Sequence, residues 1–121
     1  MNDNELYPDI ITVYHTDDGI NYSKSVYYNV HFEENKGVNV THHGIDNASN
    51  GLIIIPINDM EEDVIIHEKD LVVNGEINQR INNDYRVSDL QTEFKVYTVV
   101  AVDDNRKIGL KHWEITLKWY K

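Results

Sequence analysis

Apolar and polar residues alternate with a period of two along several stretches of the chain, the spacing of a strand with one face toward a core. Ile10-Ile11-Thr12-Val13-Tyr14-His15 predicts an early strand, and Asp17-Asp18-Gly19 supplies the turn that reverses it into 25–32. In that second stretch Val26, Tyr28, Val30 and Phe32 fall on one face, and Tyr27, Asn29 and His31 on the other. A turn at Asn35-Lys36-Gly37 leads to another alternating run, Val38 to His42. Gly51 to Ile57 is apolar on both faces, which fits a strand lining a closed barrel, with Pro56 near its end. Leu71-Val72-Val73 precedes Asn74-Gly75, a corner where a positive φ is expected and where a hairpin-like reversal into Glu76-Ile77 fits. Phe94 to Val102 predicts a strand, Asp103-Asp104-Asn105 a turn, and Gly109 to Trp119 a last strand with Trp113, Ile115 and Leu117 inward. Helical spacing is confined to Ser88–Glu93, where Ser88 is a candidate N-cap with Gln91 three residues on.

Runs rich in Val, Ile, Tyr and Thr, broken by only 6 glycines and 2 prolines, place the chain in the mainly β class. At 121 residues it has the size of one domain, 1–121, with no linker or repeat. The expected architecture is a small antiparallel β-barrel with long inserted loops and one short helix. The inserted loops are polar: 43–51 is rich in Asn, Ser and Gly, and 58–70 carries six acidic residues around Val64-Ile65-Ile66.

Charge narrows the function. Lys and Arg number 11 against 21 Asp and Glu, a formal net charge of −10, which opposes binding of nucleic-acid phosphates or an anionic membrane surface. No cysteine is present, so disulfides, thiolate zinc sites and thiol nucleophiles are excluded. The opening Met1-Asn2-Asp3-Asn4-Glu5 lacks the basic and apolar runs of a secretory signal, and no apolar stretch is long enough to span a bilayer, so neither export nor a membrane role is expected.

Candidate chemistry is sparse. The six histidines show no His-x-His pair, His42 and His43 would point to opposite faces of a strand, and a His-Glu-x-x-His motif starting at His67 is broken by Leu71. No metal site is expected on that spacing. Neither a Gly-x-Ser-x-Gly elbow nor a phosphate loop nor a dinucleotide fingerprint occurs, so no catalytic residue and no cofactor are assigned, and an enzyme is the minority reading. The tyrosines and tryptophans read as packing residues rather than base-stacking platforms, because few basic residues accompany them. The candidate contact region is the acidic loop: Glu61, Glu62 and Asp63 prefer water, whereas Val64, Ile65 and Ile66 prefer burial, against the domain or against a partner.

Four pieces in order resemble a known family: Leu6-Tyr7-Pro8-Asp9 leading into Ile11 to Tyr14, the strand ending Ile55-Pro56, Lys69 to Ile77, and His112-Trp113-Glu114-Ile115. Together they resemble small neck proteins of tailed bacteriophages, the head–tail connector, head-completion and minor capsid proteins of phages infecting Gram-positive bacteria. The resemblance implies a β-barrel assembled as a sixfold or twelvefold homo-oligomeric ring between portal and tail. Its implied partners are a portal or adaptor ring and tail proteins, with DNA passing nearby but not specifically bound. Asp70 and Gly75, with Asn74 between them, match the family's Asp-x-x-x-x-Gly structural corner. The implied location is the virion, assembled in the host cytoplasm, and the family carries no catalytic residues. A marked acidity and long polar loops set this chain apart from that pattern. The alternative is a small acidic phage-encoded binding module, a DNA mimic or an inhibitor of a host protein.

Overall fold

A computed structural model describes residues 8–34, 50–56, 65–105 and 112–120. Its elements are β1 (Asp9–His15), β2 (Ser23–Glu34), β3 (Gly51–Pro56), β4 (Leu71–Asn74), α1 (Val87–Glu93), β5 (Tyr97–Asn105) and β6 (His112–Trp119). The strands close into an antiparallel barrel in the order β1-β2-β3-β6-β5-β4, with β4 returning to pair with β1. Closure leaves no unpaired sheet edge between these six strands. The mainly β barrel with one short helix is the architecture that the alternation predicts.

The interior cluster draws on every strand: Ile11 and Val13, Val30, Ile53 and Ile55, Val72, Tyr97 and Val99, Ile115 and Leu117. Trp113 packs against it, on the face that the alternation of β6 assigns. A second cluster forms outside the barrel, where the outward residues Tyr14, Leu71 and Val73 meet Ile81, Leu90 and Val96. The 76–96 connection, with α1 in it, thereby covers β1 and β4. This second layer explains the unbroken Leu-Val-Val of β4, whose two faces are both buried.

Several boundaries and one face differ from the alternation. Asn29 has φ +60° and is an extra residue in β2, since Asp9 pairs with Val30 and Ile10 with Tyr28. A bulge of this kind inverts the phase of a strand. Val30 and Phe32 face the interior as expected, but upstream it is Tyr27 that packs inward, while Tyr28 is 52% exposed with its hydroxyl on Glu76. A register shift at Val100 acts likewise in β5, returning Val102 to the interior. Asp103-Asp104-Asn105 is not a turn: β5 runs through it, paired with Glu114, Trp113 and His112. The helix starts one residue before Ser88, capped by Arg86, whose backbone N–H donates to Asp89 Oδ2 at 2.8 Å. At Gly75 φ is +112°, a conformation suited to glycine, yet no hairpin follows. Instead Gly75 N–H donates to the Ile10 carbonyl at 2.7 Å. The buried Thr12 hydroxyl donates to the Gly75 carbonyl at 2.7 Å and accepts from Ile77 N–H at 3.2 Å. The expected strand 38–42, its preceding turn, most of the 43–51 loop and residues 57–64 lie outside the described residues.

Ile115→Ala should lower unfolding free energy by about 2–5 kcal/mol, because it empties a fully enclosed site in the interior. Val100→Ala, at the outward bulge, should stay within about 0.5 kcal/mol of the parent. Urea denaturation of the two variants checks the register of β5 against β6, and equal losses would contradict it.

Candidate functional site

Barrel closure brings one charged cluster together. Tyr14 pairs with Leu71, so His15 at the end of β1 lies beside Asp70, immediately before β4. The Asp70 side chain is 2% exposed and both of its oxygens are engaged. Oδ1 lies 2.5 Å from His15 Nδ1, and Oδ2 accepts the His67 backbone N–H at 2.9 Å. On the other side of the His15 ring, Nε2 is 2.8 Å from Oδ1 of the exposed Asp17. A carboxylate oxygen thus faces each ring nitrogen, an arrangement that favours the doubly protonated ring. Its pKa is raised above the ordinary histidine value, chiefly by the bond to Asp70 and then by that to Asp17, against a smaller opposing effect of burial. The His67 ring sits 4.6 Å from that of His15, centroid to centroid and tilted by 36°.

The backbone around the cluster is pinned by three hydrogen bonds, two of them to β5. Lys69 N–H donates to the Val99 carbonyl at 2.7 Å, Val99 N–H to the Asp70 carbonyl at 2.9 Å, and Asp70 N–H to the His67 carbonyl at 3.1 Å. Lys69 has φ +78°, an uncommon conformation for a residue with a side chain, and it closes the turn that carries His67 and Asp70 three residues apart. On the β2 side the next turn is equally fixed. Asp18 Oδ1 accepts from the N–H groups of Ile20 and Asn21, each at 2.8 Å, and these bonds hold its carboxyl well below the usual range.

Of the expected contact loop, Glu61, Glu62, Asp63 and Val64 lie outside the described residues. The remaining two part company. Ile66 is 6% exposed and belongs to the interior cluster, so it is a core residue and not a free contact, whereas Ile65 is 65% exposed. The Ile65 backbone is held all the same, its N–H donating to the Tyr27 hydroxyl at 3.2 Å and its carbonyl accepting from it at 3.3 Å. Asp70 and Gly75 bracket β4, with Asn74 exposed as its last residue, so the corner expected there is a strand with a carboxylate anchor before it and a glycine bend after it. Spacing along the chain pairs no two histidines on one face, but the fold does. His15 and His67 come together with Asp70, each offering a ligand atom within 4.8 Å of the others. Nothing local marks them, because His15 and Asp70 are 55 residues apart and meet only through the pairing of β1 with β4.

At the opposite end of the barrel Glu34 accepts from Lys95 Nζ at 2.5 Å and from the Tyr97 hydroxyl at 2.7 Å. The ammonium also lies 4.2 Å from the centre of the Trp119 ring. A shallow cavity of about 310 Å³ adjoins it, lined by Gln91, Phe94, Lys95, Val96, Trp119 and Tyr120. Among the described residues no helix is long and apolar enough to cross a membrane.

The raised His15 pKa has a defined sign. A histidine that gains carboxylate partners on folding contributes stability that is complete below its unfolded pKa, about 6.5, and that is lost as pH rises through the folded value. An NMR titration of the ring protons should therefore give His15 a midpoint above that of an ordinary histidine. Stability should decline across the same interval, and His15→Gln should flatten that interval. A midpoint at the ordinary value would remove the ion pair with Asp70 from the account.

No curated protein and no solved structure matches this chain. A family model described as a family of unknown function, DUF6751, matches residues 7–118, a span that takes in the helix, the His15–Asp70 cluster and all six strands but for Trp119 at the end of β6. The chain belongs to DUF6751.

Proposed function

We propose that the chain is a structural protein of the neck of a tailed phage particle, a subunit that forms or joins a ring between portal and tail and carries out no chemistry of its own. The fold is compatible with that role but does not single it out, since small barrels serve many functions. The observation that carries the reading is Ile65. It is a large apolar side chain, 65% exposed, on a backbone fixed by the Tyr27 hydroxyl and next to a residue sunk in the core. On this reading a neighbouring subunit or an adaptor ring covers the side chain, and its fixed backbone presents it for that contact. A contact as small as this side chain offers is too little to drive assembly of the free chain, which suits a subunit recruited onto a preformed portal or adaptor surface.

The acidic segment that leads into Ile65 supports the same reading. Glu61, Glu62 and Asp63 belong to a chain of net charge −10, and a ring through which DNA moves is served by a surface that repels phosphate. The partners on this reading are portal or adaptor ring and tail proteins, and the place of assembly is the host cytoplasm.

Ile65→Asp should leave the thermal melt of the purified chain within a few degrees of the parent, because the side chain is outside the core. In particles assembled from a phage genome carrying the change, the subunit should be missing from the portal vertex by immuno-electron microscopy, and heads should fail to join tails. If the parent chain itself is absent from purified particles and is recovered with a host protein instead, the neck reading fails and the acidic binding module takes its place.

A further inference from the structure

We propose that His15, His67 and Asp70 form a binding site for a divalent transition-metal ion of the zinc type. Two imidazoles and one carboxylate make up a donor set that suits zinc, cobalt or nickel and disfavours calcium and magnesium, which seek oxygen. The three ligand atoms lie within 4.8 Å of one another, and ligands around a tetrahedral ion with bonds of about 2.0–2.1 Å sit roughly 3.4 Å apart, so shifts of about an ångström bring the set to that spacing. His67 is exposed, leaving a path for the ion and room for water at the fourth position.

The outer partners are already in place. Asp70 Oδ2 is held by the His67 backbone N–H, which aims Oδ1 at the site. Asp17 Oδ1 is 2.8 Å from His15 Nε2, so that ring nitrogen keeps its proton and Nδ1 is the ligand, the carboxylate–histidine–metal arrangement that fixes ring orientation and raises ligand basicity. His15 Nδ1 and Asp70 Oδ1, 2.5 Å apart, now share a proton. The ion takes the place of that proton, which leaves to solvent, and the two atoms move apart to the spacing of co-ligands. Two carboxylates around the site match the charge of a divalent cation. An ion held there ties the start of the β1–β2 turn to the segment entering β4, the two ends of chain whose pairing closes the barrel.

Cobalt is the probe. Titrating untagged, chelator-treated full chain with Co²⁺ should produce visible d–d absorption at one equivalent, displaced by Zn²⁺. A roughly hundredfold excess of Zn²⁺ over its dissociation constant should raise the melting temperature by on the order of 10 °C. His67→Ala removes an exposed ligand without touching the core and should weaken Co²⁺ binding by at least about 10–100-fold, the loss typical of even an outer-shell partner. Asp17→Asn should weaken it less. No absorption with the parent chain, or the same absorption and the same rise in melting temperature in His67→Ala, overturns the site. The site does not rest on the neck reading, and its failure would leave Ile65 and the particle experiments untouched.

Discussion

Four residues, Leu71 to Asn74, hold the molecule closed. They pair with β1 on one side and β5 on the other, and without them the remaining five strands would be an open sheet with two bare edges. Their register does more than close the sheet. Setting Leu71 against Tyr14 puts the residue before one beside the residue after the other, and this places a buried carboxylate against a histidine 55 residues earlier in the chain. The interior hydrophobic set and the polar cluster therefore depend on the same few backbone hydrogen bonds.

The burial of β4 on both faces follows from the layer laid over it. Inward, Val72 joins the barrel interior; outward, Leu71 and Val73 join Tyr14 beneath Leu90 and Val96. The Tyr14 hydroxyl illustrates the demand that such burial makes, since it reaches the Gln79 carbonyl at 2.6 Å and burial pushes its pKa up to about 12. The Asp70 carboxylate meets the same demand through two hydrogen-bonding neighbours, His15 and His67, and no buried side-chain nitrogen or oxygen among the described residues lacks a partner.

Alternation along the chain conveys the barrel well, because Ile53 and Ile55, or Ile115 and Leu117, sit two residues apart on strands without irregularity. It conveys β2 poorly. Asn29 adds one residue to a strand, and a period of two turns one extra residue into a complete change of face, so Tyr27 and Tyr28 exchange places. An asparagine within an alternating run was the visible signal, as the residue type after glycine best able to adopt positive φ. At Asp103-Asp104-Asn105 the pairing that the partner strand offers overrides residues whose types favour a turn. The His15, His67 and Asp70 cluster was illegible for a different reason: spacing along a chain reports on ligands within one element, and these come from a strand end and a turn that only closure joins.

The pairing of β1 with β4 also sets the order in which the chain can fold. The β1–β2 and β5–β6 hairpins join near neighbours, as between His15 and Ser23 or Asn105 and His112, and form at little cost in loop entropy. The β1–β4 and β3–β6 ladders join residues more than fifty positions apart, such as Tyr14 with Leu71 and Pro56 with His112. Before those ladders zip up, β4 is a Leu-Val-Val segment with two apolar faces and no cover, the species most exposed to pairing with another chain. On the ribosome, β1 emerges long before its partner β4, and the nascent sheet stays unsealed until β6, the last strand of the ring, has been made.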